Sequence, residues 1–214
     1  MLRAGNLALI PTETVYGVGV AVGAFATADP STAPLPPKQS GYQRIFSLKQ
    51  RELAQTVPWL VAGEEDLEVF GRDAGPAAHA LARAFWPGAL TIVVKASSEV
   101  PAFMRAADGT VALRASASPV VQGLIRGCGS PLAVTSANTH GAPAPASFEQ
   151  IEHAVLQGVD VAIDAGTTPW RVASTIVSVA DGAGAVPRII REGALTREQI
   201  QTALDPATAQ GRSS

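Results

Sequence analysis

The stretch LALIPTETVYGVGV, residues 7–20, decides how the rest of the chain is read. Its apolar run, Leu7–Ile10, has the length and composition of a buried strand. The run stops at Pro11. Thr12, Glu13 and Thr14 follow, then Tyr16, then a Gly17-Val18-Gly19 segment that reads as a turn. A strand that only crosses a core has no use for three polar side chains at its tip. That tip is therefore a candidate for ligand contact.

Moving outward, short apolar runs alternate with helical patterns. Leu7–Ile10, Val57–Ala62, Leu90–Lys95, Val111–Arg114, Leu132–Thr135, Val159–Ile163, Thr175–Val179 and Val186–Ile190 read as strands. Tyr42–Leu53, Glu64–Phe70, Gly75–Phe85, Pro119–Gly127, Ser147–Gln157 and Thr196–Leu204 read as helices. Two of these open on capping boxes, Ser147 with Gln150 and Thr196 with Gln199. Phe148, Ile151, Val155 and Leu156 give one apolar face. The alternation predicts an α/β fold with a mixed sheet. Residues 24–41 are rich in Pro, Ala and Ser and read as a mobile loop within a single domain spanning 1–204. Residues 205–214 read as a disordered tail.

Composition narrows the function classes. The net charge of −2 gives no basic footprint for nucleic acid. The only lysines are Lys38, Lys49 and Lys95, so each needs a reason. Cys128 stands alone, which excludes an internal disulfide and a cysteine zinc cluster. No apolar run is long enough to span a membrane and no signal-peptide pattern opens the chain, so a cytoplasmic protein is expected. Phosphate-loop, dinucleotide-loop and nucleophile-elbow motifs are missing.

Several short segments remain as candidates for chemistry. In IFSLKQR, residues 45–51, Lys49 and Arg51 fall near a helix end. They read either as solvated surface charge or as a phosphate clamp, Lys as point charge and Arg as fork. LAVTSANTHGAPAP, residues 132–145, runs a strand into Thr135-Ser136-Ala137-Asn138 and a Gly/Pro loop. Small polar groups there suit phosphate contacts, or simply close a turn. Arg114 ends an apolar strand and must find water or an anion. Trp86 at a helix-to-strand turn reads as packing. Ser174 sits at a strand entrance, and Arg188 and Arg191 flank another. The three histidines, His79, His140 and His153, have no metal-ligand spacing. His140 reads as a solvated loop residue that could touch a ligand.

Taken in order, PTETVYGVG, IFSLKQR, FWPGALTIVV, VALR, PLAVTSAN, STIVSV and RIIREGALT resemble one family, the YrdC-like threonylcarbamoyl-AMP synthases. The marker is Lys-x-Arg followed far downstream by Ser-x-Asn, here Lys49, Arg51, Ser136 and Asn138. The resemblance implies a twisted sheet with flanking helices around a large, positively lined cavity. It implies a nucleotidyltransferase that makes threonylcarbamoyl-AMP and pyrophosphate from L-threonine, bicarbonate or CO2, and ATP with Mg2+. A separate tRNA threonylcarbamoyl transferase complex would consume the product. By resemblance Thr14, Arg114 and Ser174 bind threonine. Lys49, Arg51, Thr110, Ser136, Asn138 and Arg188 bind ATP. No nucleophilic residue and no protein metal ligand are implied.

The chain also departs from the family pattern. Glu52 stands where proline usually follows Lys-x-Arg, Ala89 and Glu192 replace further prolines, and the 24–41 loop is long. It resembles the short, single-domain form. Two alternatives stay open: an RNA-binding, translation-associated module with weak tRNA contact, and a paralogue handling another carbamoyl-adenylate.

Overall fold

The computed structural model describes residues 1–50, 56–139, 141–180 and 186–205. The expected strand at the start is β1 (Ala8–Pro11), and it pairs antiparallel with β2 (Tyr16–Ala21). The expectation of a turn at Gly17–Gly19 is corrected: both glycines lie inside β2. The chain reverses instead at Thr12–Val15. There the Thr12 hydroxyl accepts the N–H groups of Thr14 and Val15 at 3.1 and 3.2 Å, a side-chain turn that mimics a backbone one. The glycines serve close approach. A Cβ on Gly19 would lie 2.3 Å from the Ala133 carbonyl oxygen, and one on Gly17 would lie 2.4 Å from Val134 Cγ1.

The helix α1 (Gly41–Lys49) is capped by Ser40, whose hydroxyl accepts the Gln43 N–H at 3.3 Å. It ends at Lys49, where Gln50 takes a left-handed φ of 50°, and the part of the expected helix at 51–53 lies outside the described residues. Next come β3 (Trp59–Val61), α2 (Asp66–Phe70), a two-residue β4 (Gly71–Arg72) and α3 (Gly75–Phe85). β5 (Leu90–Ala96) and β6 (Thr110–Ala115) pair antiparallel. Then α4 (Pro119–Cys128) leads to β7 (Leu132–Ser136).

The helix expected over Ser147–Gln157 is interrupted. Ser147 is extended and bridges Thr167, a 3-10 turn covers Phe148–Gln150, and α5 is only His153–Gly158. The capping box expected at Ser147 is therefore absent. Gln150 Oε1 instead accepts the Ala146 N–H at 2.8 Å. The second expected box, Thr196 with Gln199, is present at the start of α6 (Arg197–Leu204). The remaining strands are β8 (Val161–Ala162), β9 (Thr175–Ser178) and β10 (Arg188–Arg191).

These strands form one mixed sheet in the order β10-β9-β5-β6-β3-β7-β2-β1-β8, with β4 on β5. β1–β8, β3–β6 and β5–β9 run parallel. Alternation along the strands sorts their side chains onto two faces. Leu9, Val18, Trp59, Ile92, Leu113 and Val177 enter the larger core, which α1, α3, α5 and α6 cover. Ala8, Ile10, Leu60, Leu132 and Val134 face the other way, onto Val121 and Ile125 of α4. That second face has α4 over only part of its width. Thr91, Arg114 and Ile176 share it beyond the helix, and there the sheet carries a cavity. Among the described residues no helix is long and apolar enough to cross a membrane.

Candidate functional site

The cavity holds about 290 Å³ and opens between the β1–β2 turn, the end of β7 and the start of β9. Thr14, Arg114, Ser136, Asn138 and Ser174, five of the residues singled out in the sequence, line it together. They come from five separate elements or turns. Only the folded sheet brings them within reach of one ligand.

Arg114 answers the question raised by the polar tip of β1. Its Nε donates to the Gly88 carbonyl at 2.9 Å, Nη1 to the Thr14 hydroxyl at 3.0 Å, and Nη2 to Glu13 Oε1 at 2.7 Å. Three of its five N–H donors are thus taken, which leaves one on each terminal nitrogen. Arg114 and Glu13 are both buried, with side chains 7% and 6% exposed. Glu13 also accepts from the Ser116 hydroxyl and, at 3.1 Å, from the Ala117 N–H. Burial pushes the Glu13 carboxyl up. The Arg114 charge and the Ser116, Arg114 and Ala117 hydrogen bonds outweigh it and hold the group below the usual carboxylate range. Glu13 was not among the expected site residues. Its signal was present in the sequence as a carboxylate at a strand tip, but its partner is about a hundred positions away in the chain.

Lys49 sits at the end of α1, 5% exposed. Its ammonium donates to the carbonyls of Ser136 and Asn138 at 2.5 and 2.7 Å and to Asn138 Oδ1 at 3.2 Å. The Asn138 amide in turn donates to the carbonyls of Thr139 and Ala142. The Lys-x-Arg and Ser-x-Asn segments are therefore physically joined, with Lys49 shaping the turn after β7. Arg51 and His140 lie outside the described residues. Thr135 also lines the cavity and was not predicted to.

On the far wall the Thr91 and Ser174 hydroxyls share a hydrogen bond of 2.9 Å. Arg191 Nη2 donates to the Ser174 carbonyl at 2.7 Å. Arg191 counts as exposed over the whole residue, yet its guanidinium lines the cavity. Partial burial, and then the Arg114 charge, lower its pKa. Two guanidiniums facing one cavity repel each other until an anion enters.

Two expected residues lie elsewhere. Arg188 is exposed and paired with Ser178, and Arg191 takes the cavity-lining place expected of it. Arg191 reaches the cavity face through a register shift between Ile189 and Arg191. Ile189 pairs with Val177 on the helix-covered face, and regular alternation would put Arg191 there too. The shift sets Arg191 opposite Ile176, on the cavity face. Thr110 opens β6, four residues and about 13 Å from Arg114 by strand rise. Its hydroxyl donates to Asp108 Oδ1 at 2.7 Å, and it does not line the cavity.

A family model for Sua5/YciO/YrdC, described as telomere recombination, matches residues 33–193. A Mycobacterium tuberculosis relative is 36% identical over 203 residues, covering 95% of this chain and 85% of that one. The threonylcarbamoyl-AMP synthase of Pyrococcus abyssi is 33% identical over 94% of this chain, which spans 54% of that protein's length. The crystal structure of P. abyssi Sua5 complexed with L-threonine superposes with a TM-score of 0.81 at 31% identity, over 95% of this chain and 55% of that one.

Proposed function

The chain belongs to the Sua5/YciO/YrdC family, and from that membership we propose that it is an L-threonylcarbamoyl-AMP synthase serving tRNA modification. The observation that carries the reading is the buried Arg114. A planar guanidinium, already oriented by Glu13, Thr14 and Gly88, keeps one N–H on each terminal nitrogen for a ligand. That arrangement suits the carboxylate of an amino acid.

The reaction is a nucleotidyl transfer. The threonine amine adds to the carbon of CO2, or to bicarbonate with loss of water, and gives up a proton to form a carbamate. A carbamate oxygen then attacks the α-phosphorus of ATP as the bond to pyrophosphate breaks. The chain's own contribution is placement and charge. Arg114 and Thr14 hold the carboxylate end, with Thr91 and Ser174 on the facing wall. Ser136, Asn138 and Arg191, with Arg51 by resemblance, receive phosphate oxygens. Lys49 holds the turn that presents Ser136 and Asn138. Such a site accelerates the reaction by fixing geometry and by stabilising charge as it moves to pyrophosphate.

Among the described residues no cluster of three His, Cys, Asp or Glu could hold a metal ion. Glu13, whose carboxylate lies behind Arg114, is already engaged by it. These residues do not form a cage for Mg2+. A magnesium ion arriving with ATP would rest on phosphate oxygens and water, and no step is assigned to it.

A tRNA-directed product supports a cytoplasmic setting, upstream of a transferase complex that would consume the adenylate. Pyrophosphate release with ATP and bicarbonate, with and without L-threonine, tests the reading. Threonine-dependent release is expected. Release that ignores threonine, or none at all, refutes it.

A further inference from the structure

Glu13 lies behind Arg114, outside the cavity lining, in the β1–β2 turn that the Arg114 side chain reaches from β6. Each of its oxygens has a fixed task. Oε1 takes Arg114 Nη2 at 2.7 Å and the Ala117 N–H at 3.1 Å, and Oε2 takes the Ser116 hydroxyl. The main chain at Glu13 is also held, because the Trp170 N–H donates to the Glu13 backbone carbonyl at 3.0 Å. Thr12 closes the turn that presents it.

Around Arg114, each nitrogen has a different acceptor: Gly88 on Nε, Thr14 on Nη1, Glu13 on Nη2. Gly88 is anchored in turn by its N–H to the Ala115 carbonyl at 2.7 Å. Three acceptors on three nitrogens fix the plane of the guanidinium. Among the described residues Glu13 is the charged member of this set and the partner of Nη2.

We propose that Glu13 is a positioning residue for the amino-acid subsite, setting the rotation of the Arg114 guanidinium so that its remaining N–H pair meets the substrate carboxylate. The proposal rests on the synthase reading above. What matters in it is reach more than charge. Glutamine keeps the length of the side chain and an acceptor for Nη2 and Ala117. Aspartate keeps the charge but withdraws the carboxylate by about 1.5 Å, one C–C bond.

The test compares Glu13→Asp with Glu13→Gln in steady-state pyrophosphate release, with nitrogen-15 NMR of the arginine side chains as a second readout. Glu13→Asp should raise the KM for L-threonine by about tenfold or more, the scale of a misplacement of about 1 Å. Glu13→Gln should recover most of that loss. The KM for ATP should move little in either. In the spectra the two Nη signals of Arg114 should stay separate in wild type and Glu13→Gln and merge in Glu13→Asp, as rotation about Nε–Cζ is freed. Equal losses for ATP and threonine would make Glu13 a general structural support and overturn the proposal. So would Glu13→Asp outperforming Glu13→Gln, or separate Nη signals in Glu13→Asp. A wild-type protein that ignores threonine would refute the synthase reading instead, and the spectra would still decide whether Glu13 holds Arg114.

Discussion

Replacing Arg114 with methionine tests the ion pair on which the site is built. The substitution keeps an unbranched apolar stem and removes the guanidinium. Glu13, with a side chain 6% exposed, is then left with only Ser116 and Ala117 as donors. Breaking a buried pair by removing one partner costs about 3–5 kcal/mol, because the other charge stays buried without compensation. Stability totals of about 5–15 kcal/mol make that a large fraction. At about 2–4 °C per kcal/mol for a chain of this size, the midpoint of thermal unfolding should fall by about 6–20 °C. Calorimetric unfolding of wild type, Arg114→Met, Glu13→Gln and the double variant forms a closed cycle. Adding Glu13→Gln to Arg114→Met should restore at least half of the loss, since it removes the stranded charge. A loss below about 1 kcal/mol in Arg114→Met, or a double variant no more stable than that single one, would refute the reasoning. In the same protein L-threonine affinity should drop by about 2–5 kcal/mol, the cost of truncating a buried charge pair. Arg114→Lys should recover only part of it, because the ammonium has no planar fork.

Lys49→Met should remove hydrogen bonds worth about 1.5–3 kcal/mol to the turn at Ser136 and Asn138, and should weaken ATP binding more than threonine binding in calorimetric titrations. Arg191→Ala should raise the KM for ATP several-fold in the pyrophosphate assay, while Arg188→Ala leaves it near wild type. The Glu13 carboxyl titrates below its usual value, of about 4.3, so its stabilising contribution is complete above that value and disappears as pH falls through the folded-state pKa. Urea unfolding from pH 7 down to acid should therefore show wild type and Glu13→Gln converging at low pH. Hydrogen exchange over residues 24–41 should slow when ATP and L-threonine are both bound, and unchanged exchange would rule out closure of this segment over the site.

Much of the fold was legible because its signals are local. Apolar runs at 90–95 and 132–135, and helical patterns at 75–85 and 196–204, are carried by neighbouring residues, and the elements fall within a residue or two of them. The motif segments also placed Thr14, Arg114, Ser136, Asn138 and Ser174 at element ends, and the structure gathers all five at one cavity. What the sequence could not settle depends on partners far along the chain. Gly17 and Gly19 read as a turn because nothing nearby shows the β7 backbone that a side chain would strike. The half-buried, extended Ser147 could not be told from a helix cap until Thr167 bridged it. Arg191 reaches the cavity because of a register shift, which exists only when β9 and β10 pair. The role of Glu13 emerged last, since its hydrogen bonds join the tip of the first strand to Arg114, Ser116 and Ala117. Alternation and helical period are properties of a segment alone, whereas a buried charge acquires its meaning from whichever strand end the sheet sets beside it.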